Sequence, residues 1–111
     1  MAVKIEVKGE VVMACLSGDL DHHTAKPMRE EIDQAVENNM PSLLVLDFKD
    51  VTFMDSSGIG LVMGRYRLLS KTGAELAITN PSPQIYKVMR LAGLERLAKI
   101  EKGSLKNETV K

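Results

Sequence analysis

Leu43-Leu44-Val45-Leu46 is an unbroken apolar run, with Pro41 just before it and Asp47 just after. Four such residues between turn signals are too few for a helix. Their lack of alternation predicts a strand near the centre of a sheet, covered on both faces. Upstream, from Ala25, the apolar positions fall at Met28, Ile32, Ala35 and Val36, with Arg29, Glu30, Asp33, Gln34 and Glu37 between them. That three-and-four spacing predicts an amphipathic helix covering one sheet face. Thr24 is its expected N-cap, Pro27 falls in its first turn, and Asn38, Asn39 and Pro41 end it. Downstream, a loop from Asp47 to Asp55 leads into a second helix from about Ser56 to Lys71. It presents Ile59, Val62 and Leu69 on one side and ends near Gly73.

Further outward the pattern simplifies. Val3, Ile5 and Val7 alternate with charged residues, Lys8-Gly9-Glu10 is a tight reversal, and Val11 to Leu16 reads as a second strand. So short a connection makes these two strands antiparallel. Glu75 to Thr79 is the next strand and Asn80-Pro81-Ser82-Pro83 a rigid turn. Gln84 to Ala92 is a third helix with Ile85, Val88 and Met89 inward, closed by Gly93. Leu97 to Ile100 is expected as an edge strand, and residues 101–111 as a polar tail or weak helix. The expected organisation is one α/β domain over residues 1–100. It has a mixed four- to five-stranded sheet, an N-terminal antiparallel hairpin and three or four packed helices.

Composition removes several functions. With 111 residues and 44% hydrophobic content the chain builds one core. Fifteen basic residues balance fifteen acidic ones, so no long-range field gathers nucleic acid or anionic lipid. The one cysteine, Cys15, lies in an apolar stretch and behaves as a small hydrophobe. No leader pattern or membrane-spanning run is present, which predicts a cytoplasmic protein.

Strand, helix, strand units with crossovers place their strands parallel, so the loops after strands two, three and four share one sheet edge. Those loops are residues 18–24, 53–58 and 80–83, and in open α/β sheets partners dock at that edge. In Asp55-Ser56-Ser57-Gly58-Ile59-Gly60, an aspartate and two serines stand together at a helix N-terminus where one oxygen would suffice as cap. A hydroxyl is thereby left over. A phosphoryl group on it would bring about −1.5 to −2 charges to a helix end that favours anions by about 0.3–1 kcal/mol. Asp55 and Asp21 would repel that group, so the expected signal is a change of docking and not refolding.

The segments Gly18-Asp19-Leu20-Asp21-His22-His23-Thr24-Ala25 and Phe53-Met54-Asp55-Ser56-Ser57-Gly58-Ile59-Gly60, followed by Gly64-Arg65-Tyr66, resemble the anti-anti-sigma factors of the STAS family, and among them the sporulation branch. The resemblance spans nearly the whole chain and implies a STAS-like fold. It implies Ser57 as phosphoacceptor and Asp21, Asp55, Ser56, Gly58, Ile59 and Gly60 as the partner-binding surface. The implied partners are an anti-sigma factor that is also a serine kinase, holding ATP or ADP in its own pocket, and a metal-dependent serine phosphatase. No cofactor is implied for the chain itself. Asp19 and Ile59 depart from the glutamate and leucine usual in the family but keep charge or bulk.

Other readings are weaker. A STAS module in stress response or transporter regulation is the alternative binding function. A small serine hydrolase lacks the nucleophile elbow, because Asp55 stands two places before Ser57 where glycine is required. His22-His23 is not expected to hold a metal, since adjacent side chains point apart and no further ligands lie at suitable spacing. Gly58-Ile59-Gly60 with Gly64 is not a dinucleotide fingerprint, and no phosphate loop is present. Met54, Met63 and Met89 are expected to fill core gaps, and Gly60 and Gly64 to let the second helix approach the sheet or a partner.

Overall fold

The computed structural model describes residues 3–102. In chain order the elements are β1 (Val3–Lys8), β2 (Val11–Leu20), α1 (Ala25–Asn39), β3 (Leu43–Met54), α2 (Ser56–Ser70), β4 (Glu75–Thr79), α3 (Pro83–Leu91) and β5 (Lys99–Glu101). A 3-10 turn at Leu94–Arg96 precedes β5. Gly9, at a φ of 58°, supplies the left-handed residue that reverses the chain into β2. The sheet order is β1-β2-β3-β4-β5, with β1–β2 antiparallel and every other pair parallel. This is the expected mixed sheet, with five strands, the hairpin at one margin and three α-helices. The expected polar tail lies almost wholly outside the described residues, and β5 runs one residue beyond position 100.

Register assigns each strand residue to a face. Val12, Leu44 and Leu76 lie abreast, as do Ala14, Leu46 and Ile78, all 5% exposed or less. They join one core with Met28, Ile32 and Val36 of α1, Leu61, Val62 and Leu69 of α2, and Ile85 and Met89 of α3. Val45 is also buried yet stands outside that core, because it points to the opposite face. The expectation of cover on both faces is therefore corrected: the helices pack on one face, and Leu43 on the other remains half-buried. An unbroken apolar run cannot separate two helix layers from one layer plus a shielded central row.

A second correction concerns residues 47–55. They are not a loop, because β3 continues to Met54 and β2 to Leu20, paired with each other to the end. Shifts in register between Cys15 and Ser17 and between Gly18 and Asp19 break the alternation, which is why the extension does not read as strand. Phe48, Val51 and Met54 are its buried residues.

The long β2–β3 arm also separates the expected loop cluster. Residues 80–83 follow Thr79, which is level with Asp47, whereas the turn into α2 follows Met54, seven residues further along β3. The first two loops meet; the third stays behind, with Asn80 bonded to Asp47 and Glu101. Val88, expected inward on α3, is 39% exposed, while Ile85 and Met89 are buried as expected.

Candidate functional site

Two turns form the site. Leu20 and Met54 are the last paired residues of β2 and β3, and the Asp55 N–H donates to the Leu20 carbonyl at 3.3 Å. The turn into α1 and the start of α2 are thereby fixed side by side.

Asp55 is the N-cap of α2, its Oδ1 accepting from the Ser57 N–H at 2.8 Å. Capping is thus done by a carboxylate, and neither serine hydroxyl serves as the cap. Ser56 is exposed and Ser57 half-buried. Gly58 is buried: a Cβ on it would overlap Met54 Cγ and stand 3.0 Å from Leu20 Cδ2. Of the residues expected to meet a partner, Gly58 therefore faces inward and Ile59 packs against the core. Gly58 brings the helix end down onto the strand ends.

The other turn hangs on Asp21. Its Oδ1 accepts from the backbone N–H groups of His23 at 2.9 Å and Thr24 at 3.1 Å, and its carbonyl accepts from the Ala25 N–H at 2.9 Å. Thr24, at the N-cap position, makes no capping hydrogen bond with its side chain, contrary to expectation. Its hydroxyl donates instead to the Asp19 carbonyl at 2.8 Å; Pro27, at the third helical position, has no N–H to offer it, and Thr24 itself has helical and not extended backbone angles. Loss of water raises the Asp21 carboxyl pKa, but the N–H bonds, with His23 and the Thr24 hydroxyl, outweigh this and hold it below its ordinary value. The His22 and His23 rings do not point apart, as adjacent side chains were expected to; their centroids are 3.9 Å apart at a tilt of 38°. The tight Asp21 turn brings the two rings to one side.

Between α1 and α2 runs an open groove of about 420 Å³ with Ser57 at one end. Lys26 and Arg29 line it from α1, Gly60 and Gly64 from α2. A Cβ on Gly60 or Gly64 would meet nothing within 4 Å, so these glycines do not serve close approach to the sheet; they leave the groove wide. Arg65 closes its floor, only 6% exposed and paired with Asp33 of α1. Sequence reasoning missed Lys26, Arg29 and Arg65. Their only signal is spacing: Lys26 and Arg29 are three apart, and Gly60, Gly64 and Arg65 share a stripe on α2.

The chain belongs to the STAS domain family, whose model matches residues 2–104. It is similar to an anti-sigma F factor antagonist of Paenibacillus polymyxa, 34% identical over 100 residues, covering 90% of this chain and 86% of the relative. Among solved structures it resembles the anti-sigma factor antagonist SpoIIAA in its unphosphorylated form, at 34% identity and a TM-score of 0.79, over 98% of this chain and 96% of the other. It also resembles the phosphorylated form of SpoIIAA, the Bacillus cell fate determinant, at 33% identity and a TM-score of 0.72, over 99% and 100%. Among the described residues no helix is long and apolar enough to cross a membrane.

Proposed function

We propose that this chain is an anti-sigma factor antagonist of the sporulation type, a cytoplasmic binding switch and not an enzyme. In its unmodified form it engages an anti-sigma factor that is also a serine kinase, with ATP or ADP bound in the kinase, and so frees a sigma factor for transcription. Phosphorylation on Ser57 ends that engagement, and a metal-dependent serine phosphatase restores it.

The observation that carries this reading is the division of labour at the start of α2. Asp55 caps the helix, so the Ser57 hydroxyl is spared that role beside an open groove. A dianion there meets orphan N–H groups at the helix end, which favour it, and the Asp55 and Asp21 carboxylates, which do not. The domain tolerates the charge, whereas an acceptor surface built for the bare turn would have to desolvate it. Asp21, Ser56, Ile59 and Gly60 complete the docking surface, and Gly58 sets the height of the helix end. Incubation with the cognate anti-sigma kinase and ATP, followed by peptide mass mapping, tests the assignment. One phosphoryl group on Ser57 is expected; modification confined to another residue would refute it.

A further inference from the structure

Among the described residues, no helix packs on the other face of the sheet. Register orders its side chains in three rungs running from β1 toward β5. The lowest is Lys8, Val11, Leu43, Glu75; the middle is Glu6, Met13, Val45, Ala77, Lys99; the highest is Lys4, Cys15, Asp47, Thr79, Glu101.

The centre of this face is apolar. Val11, Met13, Leu43 and Ala77 are half-buried and Val45 is 7% exposed, and none of them belongs to the core under the helices. The two margins are charged, and oppositely so at every rung. Lys4 faces Glu101 across the sheet, Glu6 faces Lys99, and Lys8 faces Glu75. All but Glu101 are exposed, and Glu101 is half-exposed.

We propose that this face is a self-association surface on which a second copy of the chain docks, related by a two-fold axis parallel to the strands. Rotation about that axis lays β1 of one copy over β5 of the other and keeps the rungs level. Lys4 then meets Glu101 of the second copy and Glu6 meets its Lys99, while Lys8 reaches Glu75 one strand inward. Symmetry makes each pair twice, around Val45 packed on Val45. Two sheets stacked at about 10 Å with strands within about 30° of alignment are the ordinary geometry for such packing. An axis perpendicular to the strands would instead oppose Glu6 to Glu6 and Lys4 to Lys8, so the charges select the first arrangement.

Asp47, on the central strand, is the like charge brought toward its own copy. Its Oδ1 already accepts from Asn80 Nδ2 at 3.0 Å, the Lys49 N–H at 3.1 Å and Thr79 Oγ1 at 3.3 Å, which offsets part of its charge. The patch spans roughly 19 Å by 14 Å between its outermost Cα positions. That is well below the ~800 Å² per partner of a standard interface, so the dimer is a weak, transient one. Ser57 lies in the helix layer on the other side, and this inference does not depend on the function proposed for it.

Sedimentation velocity of the full chain from micromolar to millimolar concentration tests the proposal. The chain is expected to shift from monomer to dimer. Glu6→Lys should raise the dissociation constant about tenfold by turning two attractive pairs into repulsive ones. Lys99→Glu in the same chain should restore it. Within one copy these residues sit roughly 19 Å apart, so rescue can act only between copies. Thermal melts establish that the variants, exposed at both positions, remain folded. A chain that stays monomeric throughout, or a dimer whose affinity ignores the reversal or is not restored by the double reversal, overturns the proposal.

Discussion

Arg65 on α2 grips Asp33 on α1: Nη2 donates to Oδ2 at 3.2 Å, and Nε lies 2.7 Å from Oδ1 as an ionic contact outside hydrogen-bond alignment. Nη1 also donates to the Leu61 carbonyl at 3.2 Å. Burial lowers the Arg65 pKa and raises that of Asp33, each against the pull of its partner. Desolvation thus takes back much of the attraction, as buried pairs generally show. What the pair supplies is the relation of two helices that flank the groove.

Breaking that pair one-sidedly strands a charge. Arg65→Leu is expected to lower stability by about 2–4 kcal/mol, somewhat below a fully buried case because Asp33 keeps contact with water. Arg65→Leu with Asp33→Leu should recover most of the loss. Urea unfolding of both variants measures this, and a double variant no better than the single would show that the guanidinium's other contacts dominate.

Glycines two residues apart on α2 should respond in opposite directions. Gly58→Ala forces a methyl onto Met54 and Leu20 and is expected to cost about 1–3 kcal/mol. Gly60→Ala enters open space and should leave stability unchanged or raise it by up to about 1 kcal/mol. Melting temperatures decide. Kinase pull-down with Gly60→Leu adds a second readout, in which binding is expected to fall while the fold holds.

Ser57→Ala should abolish phosphoryl transfer and keep both fold and kinase binding. Ser57→Asp should keep the fold and weaken binding at least tenfold, about 1.4 kcal/mol. Calorimetric titration against the kinase measures this. Equal affinity of Ser57→Asp and the unmodified chain would mean that charge does not carry the signal.

Asp21 has a structural duty as well as an expected contact. Its folded pKa lies below the ordinary value, so the stability it contributes is fully present above about pH 4 and lost as pH falls through the folded value. Asp21→Asn should flatten that part of the profile, and the difference between variant and native melts from pH 2 to about pH 7 isolates it. Asp21→Ala, which removes the acceptor for two N–H groups, should lower the melting temperature modestly and also weaken the kinase complex.

Much of this is legible in the sequence. The β1–β2 hairpin, α1, β4 and the capped start of α2 are local matters, decided by period and by residues such as Gly9 and Asp55 whose chemistry acts within a few positions. A spare hydroxyl in the Ser56-Ser57 pair could be read for the same reason, whereas the choice of Ser57 rests on the family resemblance. The far half of β3 could not, because its strand character comes from pairing with β2 across shifted registers, and its own alternation is irregular.

Alone, the chain's order of residues determined most of the strand and helix segments, the far ends of β2 and β3 excepted, and where a spare hydroxyl stands at a helix end, since hydrogen-bond supply and apolar period are properties of neighbours in sequence. Tertiary structure decided what distant residues do to one another. It set Lys26 and Arg29 beside Ser57, joined Arg65 to Asp33, turned Gly58 inward and Gly60 outward, and packed the described α-helices on one sheet face. Those outcomes depend on how elements pack in three dimensions, and packing couples positions that no local pattern relates.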